Sequence, residues 1–479
     1  MYEYLFPLLI KSIGLSSAVA SFSTLIGGIL AFVLTKTDMR LKAAFKLATL
    51  LPLFLPPYIF TVAWVDLLVM LHLKTKLIFS YFGAFFIMTL VFTPLSVLII
   101  STGLSNISSS LEESALMFAG SFTALKKIVL PLLRPTLVSS FMLVFILAIS
   151  EFSIASFLSL KVFTTEIFTQ FAAFYNHKEA IILSLVIVGI CLSLLFFEGT
   201  YLTNAPFISI GLKAKQELRI IKLSFYKPLV ELCFFLYILF STLLPIIVLF
   251  IQVSFKIDVF LKAINLLKPT ILFSLYYALL GALILCLLGF LIAFHWPNKV
   301  SRFIEKLIFL SFAIPSTVLG ILLIKIFNHK ELSLIYSSFF MIILVYVFKF
   351  LFISEKLILN TIKQFPASLI ESATILGASK KDIILRIIGP LSFRAIFASF
   401  VICFIFCISE LGGTILVYPP GTSLMPIKVF TIMANAPQSL ISAMCATILL
   451  ITSGAVIFMF FIKFLLEKIS RKAGWKLYS

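Results

Sequence analysis

The chain has 479 residues, of which 62% are hydrophobic and only 12% are charged. A soluble domain has about 45–50% apolar and about 25% charged residues, so this composition excludes an ordinary soluble protein and indicates an integral membrane protein. The net charge of +19 comes from short loops between apolar stretches, where it is typical of membrane topology and not of nucleic-acid binding.

Apolar stretches of about 20 residues, the length that an α-helix needs to cross the hydrocarbon core, follow one another along the chain. They are continuous and do not alternate with period two, which excludes a barrel of short strands. We therefore predict an all-α integral membrane fold with about eleven transmembrane helices. These spans lie near residues 8–34, 46–70, 78–100, 136–159, 179–202, 229–251, 270–294, 304–327, 335–353, 395–416 and 438–464.

Two unusual features mark the first five spans. Pro56 and Pro57 lie inside the second span and are expected to break it, and such a break is compatible with a translocation path or with plain packing. Glu151 lies toward the outer part of the fourth span. It either lines a wet path or is a structural carboxylate that caps broken helix backbone or pairs with a lysine.

A polar, basic loop separates the third and fourth spans. It carries, in order, Glu113, Ser114, Ala115, Gly120, Lys126, Lys127 and Pro131. The serines at 108–110 favour a helix start, and Gly120 allows the chain to leave that helix. The loop is therefore predicted to hold a short helix on the membrane surface, followed by a return into the membrane near Pro131.

After the charged linker 203–228 and an additional span near 229–251, the whole pattern recurs. The second loop carries Glu371, Ser372, Ala373, Gly377, Lys380, Lys381 and Pro390. Pro56 and Pro315 are 259 residues apart (315 − 56), as are Glu151 and Glu410 (410 − 151). Pro315 is therefore also expected to break its span, and the alternatives given for Glu151 apply equally to Glu410. The chain therefore contains two five-helix repeats of the same orientation, that is, a parallel repeat, joined by one connecting helix.

Most of the 38 lysine and arginine residues lie in loops on one side of the predicted membrane. The positive-inside rule places both repeated loops, the linker and the C-terminus in the cytoplasm, and the N-terminus outside. The predicted units are 8–203 and 266–462, separated by a linker with its connecting helix (204–265) and followed by a basic cytoplasmic tail (463–479).

The two loops resemble the EAA loop of type I ABC importer permeases, whose pattern is Glu-Ala-Ala, three residues, Gly, nine residues, Ile, one residue, Leu-Pro. The second copy fits at Glu371, Ala373, Gly377, Ile387 and Pro390, and departs at Ser372 and Gly389. The first copy is one residue short, with Ala119-Gly120 in place of Gly-Ala. The resemblance implies two cytoplasmic helices that dock two ATPase subunits, an external solute-binding protein, and a location in a bacterial or archaeal plasma membrane.

The fusion of two units in one chain is similar to ferric-iron and thiamine permeases. The stretch 409–422 resembles the Glu-Leu-x-x-Thr-Leu-Leu-Leu…Pro-x-Gly segment of the ferric-iron group. Ferric iron is therefore the first expected substrate, followed by thiamine and then by a polyamine, aminoethylphosphonate or an oxyanion.

We expect this chain to be a transport subunit and not an enzyme. It contains no Gly-x-x-x-x-Gly-Lys-Ser/Thr phosphate-binding loop, so ATP hydrolysis is expected in another chain. Its four histidines and six cysteines show no metal-ligand spacing, and we expect no catalytic site, metal site or cofactor. The alternative class is a secondary transporter driven by an ion gradient, which predicts buried ionisable residues in several spans and inverted repeats.

Overall fold

The computed structural model describes residues 2–105, 107, 125–201, 221–254, 257–295 and 299–472. Within these residues the chain is helical, and extended backbone pairs only at an isolated bridge between Thr37 and Ile221. Eight of the described helices are long and apolar enough to cross a membrane, and three further helix pairs meet the same criteria as bent spans. These eleven correspond one for one to the predicted spans, which confirms the all-α membrane fold.

The helices form two similar sets joined by a connecting segment. The first set consists of α1 (Tyr2–Lys36), α2 (Lys42–Leu50), α3 (Pro57–Met70), α4 (Tyr81–Ser105), α5 (Leu130–Ser150), α6 (Ser153–Phe157), α7 (Phe163–Phe168) and α8 (His177–Tyr201). The connecting segment consists of α9 (Lys227–Ile238) and α10 (Leu244–Ser254), joined by a π-helical turn. The second set consists of α11 (Ile257–Phe294), α12 (Lys299–Ala313), α13 (Ser316–Phe327), α14 (Ser333–Tyr336), α15 (Phe340–Ile362), α16 (Ala367–Ile375), α17 (Lys380–Asp382), α18 (Gly389–Ser409), α19 (Thr414–Val417), α20 (Met425–Ile432) and α21 (Gln438–Lys472).

The second span of each half bends sharply at its proline. The helix axis turns by 97° between α2, with its 3₁₀ extension, and α3, and by 109° between α12 and α13. Pro56 and Pro315 precede the second segment with nearly the same backbone, at φ −55° with ψ 131° and φ −55° with ψ 141°. Because proline lacks an N–H and its ring clashes with the preceding turn, both helices break where the sequence predicts.

The ninth span is also bent, which the sequence analysis did not predict. The axes of α14, with the 3₁₀ turn before it, and α15 differ by 78°, and no proline lies between them. The hydroxyl groups of Ser337 and Ser338 instead donate to the carbonyl oxygens of Ser333 and Ile335, both at 2.7 Å. Such local side-chain bonds compete with helix continuation and favour a turn at this point.

The fourth and tenth spans begin earlier than predicted. The helical spans run over Lys126–Ser150 and Lys380–Ser409, whereas the predicted starts were 136 and 395. Pro131 and Pro390 lie in the first turn of α5 and α18, and each follows a π-helical turn. The wider π turn lets the axis continue through a residue that cannot donate a backbone hydrogen bond, so the proline does not start the span.

Matching contacts relate the two halves. The hydroxyl oxygen of Ser12 accepts a bond from the Phe163 N–H at 2.9 Å, and that of Ser274 accepts one from the Met425 N–H at 2.8 Å. Both pairs are separated by 151 residues. In each case the first helix of a half supplies a hydrogen-bond acceptor to the start of a short helix near its end, which satisfies an N–H that the short helix leaves free.

The two halves share one hydrophobic core. Tyr58 and Phe163 of the first half belong to the same buried cluster as Phe312 of the second. The ring of Phe430 lies 5.9 Å from that of Phe152 and 6.3 Å from that of Phe168. The interface between the halves is therefore packed with aromatic side chains, whose burial stabilises the association of the halves.

The connecting segment is fixed at one end to the turn between α1 and α2. The carboxylate of Asp38 accepts hydrogen bonds from the Leu223 N–H at 2.8 Å and from the Lys227 ammonium at 3.1 Å. These two bonds, the first above all, lower the pKa of Asp38. From this anchor the segment continues into α10, which packs against α3 of the first half and α21 of the second.

Candidate functional site

Four chain segments meet where the helices break between the two halves. The carbonyl oxygen of Ala313, at the end of α12, lies 3.4 Å from the Ser150 hydroxyl and 3.1 Å from the Cys191 sulfur. A Cβ atom built on Gly412 would lie 2.6 Å from the Ser316 hydroxyl and 3.4 Å from the Phe152 Cβ. Glycine permits this approach, which brings the ends of α5 and α18 next to the break at Pro315.

Glu151 caps a short helix at this meeting point. It follows α5, and its Oε1 accepts bonds from the backbone N–H groups of Ser153 at 2.8 Å and Ile154 at 3.1 Å, as well as from the Ser153 hydroxyl. These N–H groups begin α6 and have no partner within the helix. A carboxylate at a helix N-terminus is also stabilised by the helix dipole.

Glu410 occupies the equivalent position in the second half. It follows α18, and its Oε1 accepts a bond from the Gly413 N–H at 3.0 Å, next to the start of α19. Its side chain is only 7% exposed, and its Oε2 has no hydrogen-bond partner in the part of the chain that the structure describes. The capping role considered for both glutamates is therefore present, and the capping bond of Glu410 uses only Oε1.

Lys349 lies beside the same break, and the sequence analysis did not select it. Its ammonium donates to the carbonyl oxygens of Phe312 at 2.9 Å and Ile314 at 2.8 Å, and the residue is 6% exposed. The residues next to Glu151 and Glu410 contact the same break, Ser150 at the Ala313 carbonyl and Gly412 at Ser316. A lysine inside the predicted span 335–353 was the available signal. Glu151, Lys349 and Glu410 are hereafter the charge cluster.

A further buried acid, Asp66 on α3, bridges the halves and was not predicted. Its Oδ2 is hydrogen-bonded to the Ser442 hydroxyl of α21, and the residue is 0% exposed. Its Oδ1 has no hydrogen-bond partner among the described residues. The contact lies on the side of the interface that α10 covers, so it fixes α3 against α21 at that side.

The second repeated loop forms the short helix that the sequence predicts. In α16 the side chains of Glu371 and Ser372 are exposed, while Ala373 packs against Ile383 and Ile388. Ile375 and Leu376 are 85% and 87% exposed. Two large apolar side chains that point away from the protein, beside an exposed carboxylate, form a surface suited to a protein partner.

Gly377 ends α16 as predicted. Its φ is +83°, and the N–H groups of Gly377 and Ala378 bond back to the carbonyl oxygens of Thr374 and Ala373, both at 3.0 Å. This pattern is a Schellman motif, which requires a left-handed residue and therefore favours glycine. Pro390 follows in the first turn of α18.

Four of the equivalent residues of the first loop lie outside the described residues, whereas Lys126 and Lys127 are exposed in the π-helical turn before α5. Glu113, Ser114, Ala115 and Gly120 fall in the undescribed stretch, and Pro131 lies in the first turn of α5. Among the residues that are described, no group of three or more His, Cys, Asp or Glu side chains could hold a metal ion.

A protein-family model described as "Binding-protein-dependent transport system inner membrane component" matches residues 23–200 and 286–471. The chain belongs to this family. The two matched stretches fall on the two halves, so the family domain occurs twice, as the repeat predicts. The chain is accordingly the membrane-spanning permease component of a transport system that depends on a binding protein.

Similar proteins carry related names. The chain is 26% identical over 447 residues, covering 91% of this chain and 85% of the relative, to the Fe(3+)-transport system permease protein FbpB 2 of Haemophilus influenzae. It is 25% identical over 453 residues, covering 88% of this chain and 66% of the relative, to the Ferric transport system permease protein FbpB of Actinobacillus pleuropneumoniae. The Spermidine/putrescine transport system permease protein PotC of Escherichia coli K12 is 25% identical over 183 residues, or 38% of this chain and 68% of that protein.

Proposed function

We propose that this chain is the two-unit permease of an ATP-driven ferric-iron importer. The units are 8–203 and 266–462, with 204–265 as linker and connecting helix and 463–479 as cytoplasmic tail. The observation that carries the proposal is the similarity over about nine tenths of the chain to two ferric-iron permeases. Thiamine, aminoethylphosphonate and a polyamine are alternative substrates, and the similarity to a spermidine/putrescine permease favours the last of these.

The two repeated loops couple the permease to its ATPase. With the N-terminus outside and the C-terminus cytoplasmic, α16 and the corresponding segment at Glu113, Ser114, Ala115 and Gly120 face the cytoplasm. Each docks one ATPase subunit, which gives two copies per permease. Support comes from α16, whose exposed Glu371, Ile375 and Leu376 offer an apolar surface next to a charge.

The translocation path runs between the halves, past the breaks at Pro56 and Pro315. Glu151 and Glu410 line it and favour a cation, because carboxylate oxygens are hard ligands suited to hard cations. The Oε2 of Glu410, which takes no part in the capping bond, supports this role. The carboxylates also cap helices, and the two roles are compatible because each capping bond uses only Oε1.

The proposal is tested by uptake into proteoliposomes that contain this chain, the ATPase and the binding protein. We expect ATP-dependent uptake of ferric iron, and no uptake when the ATPase is omitted. Uptake that follows an imposed ion gradient without ATPase would instead indicate a secondary transporter. ATP-dependent uptake of thiamine or spermidine but not of iron would reassign the substrate.

The path role of the carboxylates is tested in the same vesicles. In Glu410→Gln we expect iron uptake to fall by about tenfold, equivalent to ~1.4 kcal/mol, while ATP hydrolysis stimulated by the binding protein persists. Glu331→Gln is the matched control, because Glu331 is exposed in a turn at the end of α13. Uptake at the wild-type rate in Glu410→Gln, with every candidate substrate, would remove this residue from the path.

A further inference from the structure

Lys349 breaks the symmetry of the two halves. Ser96 and Ser354 are equivalent residues, because each lies 2.5 Å from the position of a Cβ on the glycine of the facing helix, Gly27 or Gly289. Five residues before them stand Val91 and Lys349. The first half therefore has a buried apolar side chain where the second half has a buried ammonium.

The ammonium of Lys349 is bound by backbone carbonyl oxygens at the broken helix end and not by a direct ion pair. Its two hydrogen bonds go to carbonyl oxygens at the end of α12, which the break at Pro315 leaves without helical partners. No carboxylate among the described residues lies within salt-bridge distance of it. A buried charge is costly without compensation, so the carbonyl oxygens and the more distant carboxylates must offset that cost together.

The two glutamates of the charge cluster approach the break at which Lys349 is bound. Glu151 and Glu410 reach the same place from the two halves. Ser150, which precedes Glu151, contacts the Ala313 carbonyl, and Gly412, two residues after Glu410, contacts Ser316. Two carboxylates and one ammonium leave one negative charge without compensation when all three are ionised. The cluster can therefore attract one further positive charge. That charge would take over part of the balancing of the carboxylate charges that Lys349 provides.

We propose that the Lys349 ammonium keeps the two helix ends at the Pro315 break in their observed, closed arrangement until a cationic substrate binds. The substrate then balances the glutamate charges in place of Lys349. This inference rests on the proposed function. In the resting state the ammonium binds the end of α12 and lowers the repulsion between the two glutamates. A cation that moves between the carboxylates repels the ammonium and weakens its bonds to Phe312 and Ile314, which releases the break. Lys349 is thus a positioning residue of the transport cycle.

The test is a double-mutant cycle in the complete transporter with ATPase and binding protein. Lys349→Met keeps the approximate length of the side chain and removes its charge. We expect ATP hydrolysis without binding protein or substrate to rise by about fivefold, because the break is no longer held. Adding Glu410→Gln removes one negative charge, and we expect it to return this activity to within about twofold of wild type, as coupled charges are strongly non-additive.

Controls separate charge from shape. Lys349→Arg keeps a cation and is expected to behave like wild type, and Lys325→Met removes an exposed lysine from the end of α13 without effect. If Lys349→Met does not assemble, thermal stability replaces the activity measurement, and the double variant must then be the more stable of the two.

Two outcomes overturn the inference. One is a double variant whose fold-change in basal ATP hydrolysis equals the product of the fold-changes in the two single variants. The other is a Lys349→Met transporter whose basal ATP hydrolysis equals that of wild type. Both leave the proposed function intact as long as wild-type vesicles import iron with ATP. Failure of that wild-type import refutes the proposed function itself.

Discussion

At the scale of single residues, the ends of broken helices hold the buried charges. Glu151 and Glu410 accept bonds from N–H groups at helix N-termini, and Lys349 donates to carbonyl oxygens at a helix C-terminus. In each case the sign of the charge is opposite to that of the helix dipole at that end. The breaks therefore provide the polar groups that make ionisable side chains tolerable inside the membrane.

The sequence identified two of these three charges. Glu151 and Glu410 stand 259 residues apart after matching spans, so repetition marked them. Lys349 has no counterpart in the first half, and its partners are carbonyl oxygens that any residue could supply. The sequence contains no information on which backbone carbonyls a bend exposes, so its contact depends on how α15 lies against the break.

Gly289 allows α11 to pack closely against α15. A Cβ on Gly289 would lie 2.5 Å from the Ser354 hydroxyl and 3.0 Å from the Glu355 backbone nitrogen. We expect Gly289→Ala to destabilise the protein by ~1–3 kcal/mol through overpacking between α11 and α15. Thermal unfolding in detergent measures this loss. Gly454→Ala is the control, since nothing lies within 4 Å of its Cβ position, and equal stability of the two variants would refute the argument.

At the scale of elements, proline predicts a break but not its consequences. Pro56 and Pro315 end their helices as expected, whereas Pro131 and Pro390 continue theirs through a π turn. The difference arises because the first pair leads into a segment that turns away into the interface. The second pair leads into a segment that keeps crossing the membrane, where an unbroken axis leaves fewer backbone groups unsatisfied.

Gly377, which ends α16 in a left-handed conformation, fixes where that helix stops. We expect Gly377→Ala to reduce ATP-dependent uptake by about fivefold, because the left-handed residue that ends the helix costs roughly 1 kcal/mol more with a Cβ and the exposed face of α16 shifts. Uptake per assembled complex is the measurement.

Gly421→Ala is a matched control for that experiment. Gly421 has φ +81° and, like Gly377, open space around its Cβ position, but it lies after α19 and away from α16. The same backbone strain should therefore leave uptake unchanged. Equal losses in both variants would show that strain alone, and not the position of α16, accounts for the effect.

At the scale of the whole molecule, the connecting segment makes the two sides of the interface unequal. On one side α10 packs against α3 and α21, next to the hydrogen bond between Asp66 and Ser442. Lys349 and the break at Pro315 lie at a different point of the interface, beside the end of α5. We therefore expect the halves to separate first near the charge cluster, because the covered side has an additional helix and a buried hydrogen bond across it.

The orientation of the molecule is predicted from its charges and is directly measurable. An epitope tag inserted after Lys381 should bind antibody only after the membrane is permeabilised, since this loop is expected in the cytoplasm. A tag inserted after Thr422 should bind antibody in intact spheroplasts. Antibody binding to the Lys381 tag in intact spheroplasts would contradict both the orientation and the coupling role of α16.

The sequence by itself determined the membrane class, the eleven spans, the parallel repeat and the two proline breaks. These follow from local quantities: apolar length, charge in loops, the missing proline N–H, and the recurrence of a pattern. Only the tertiary structure decided that both glutamates cap short helices, that Lys349 lies beside them, and that Asp66 meets Ser442. Each of these contacts joins residues far apart in the chain, and their partners are set by the packing of one half against the other.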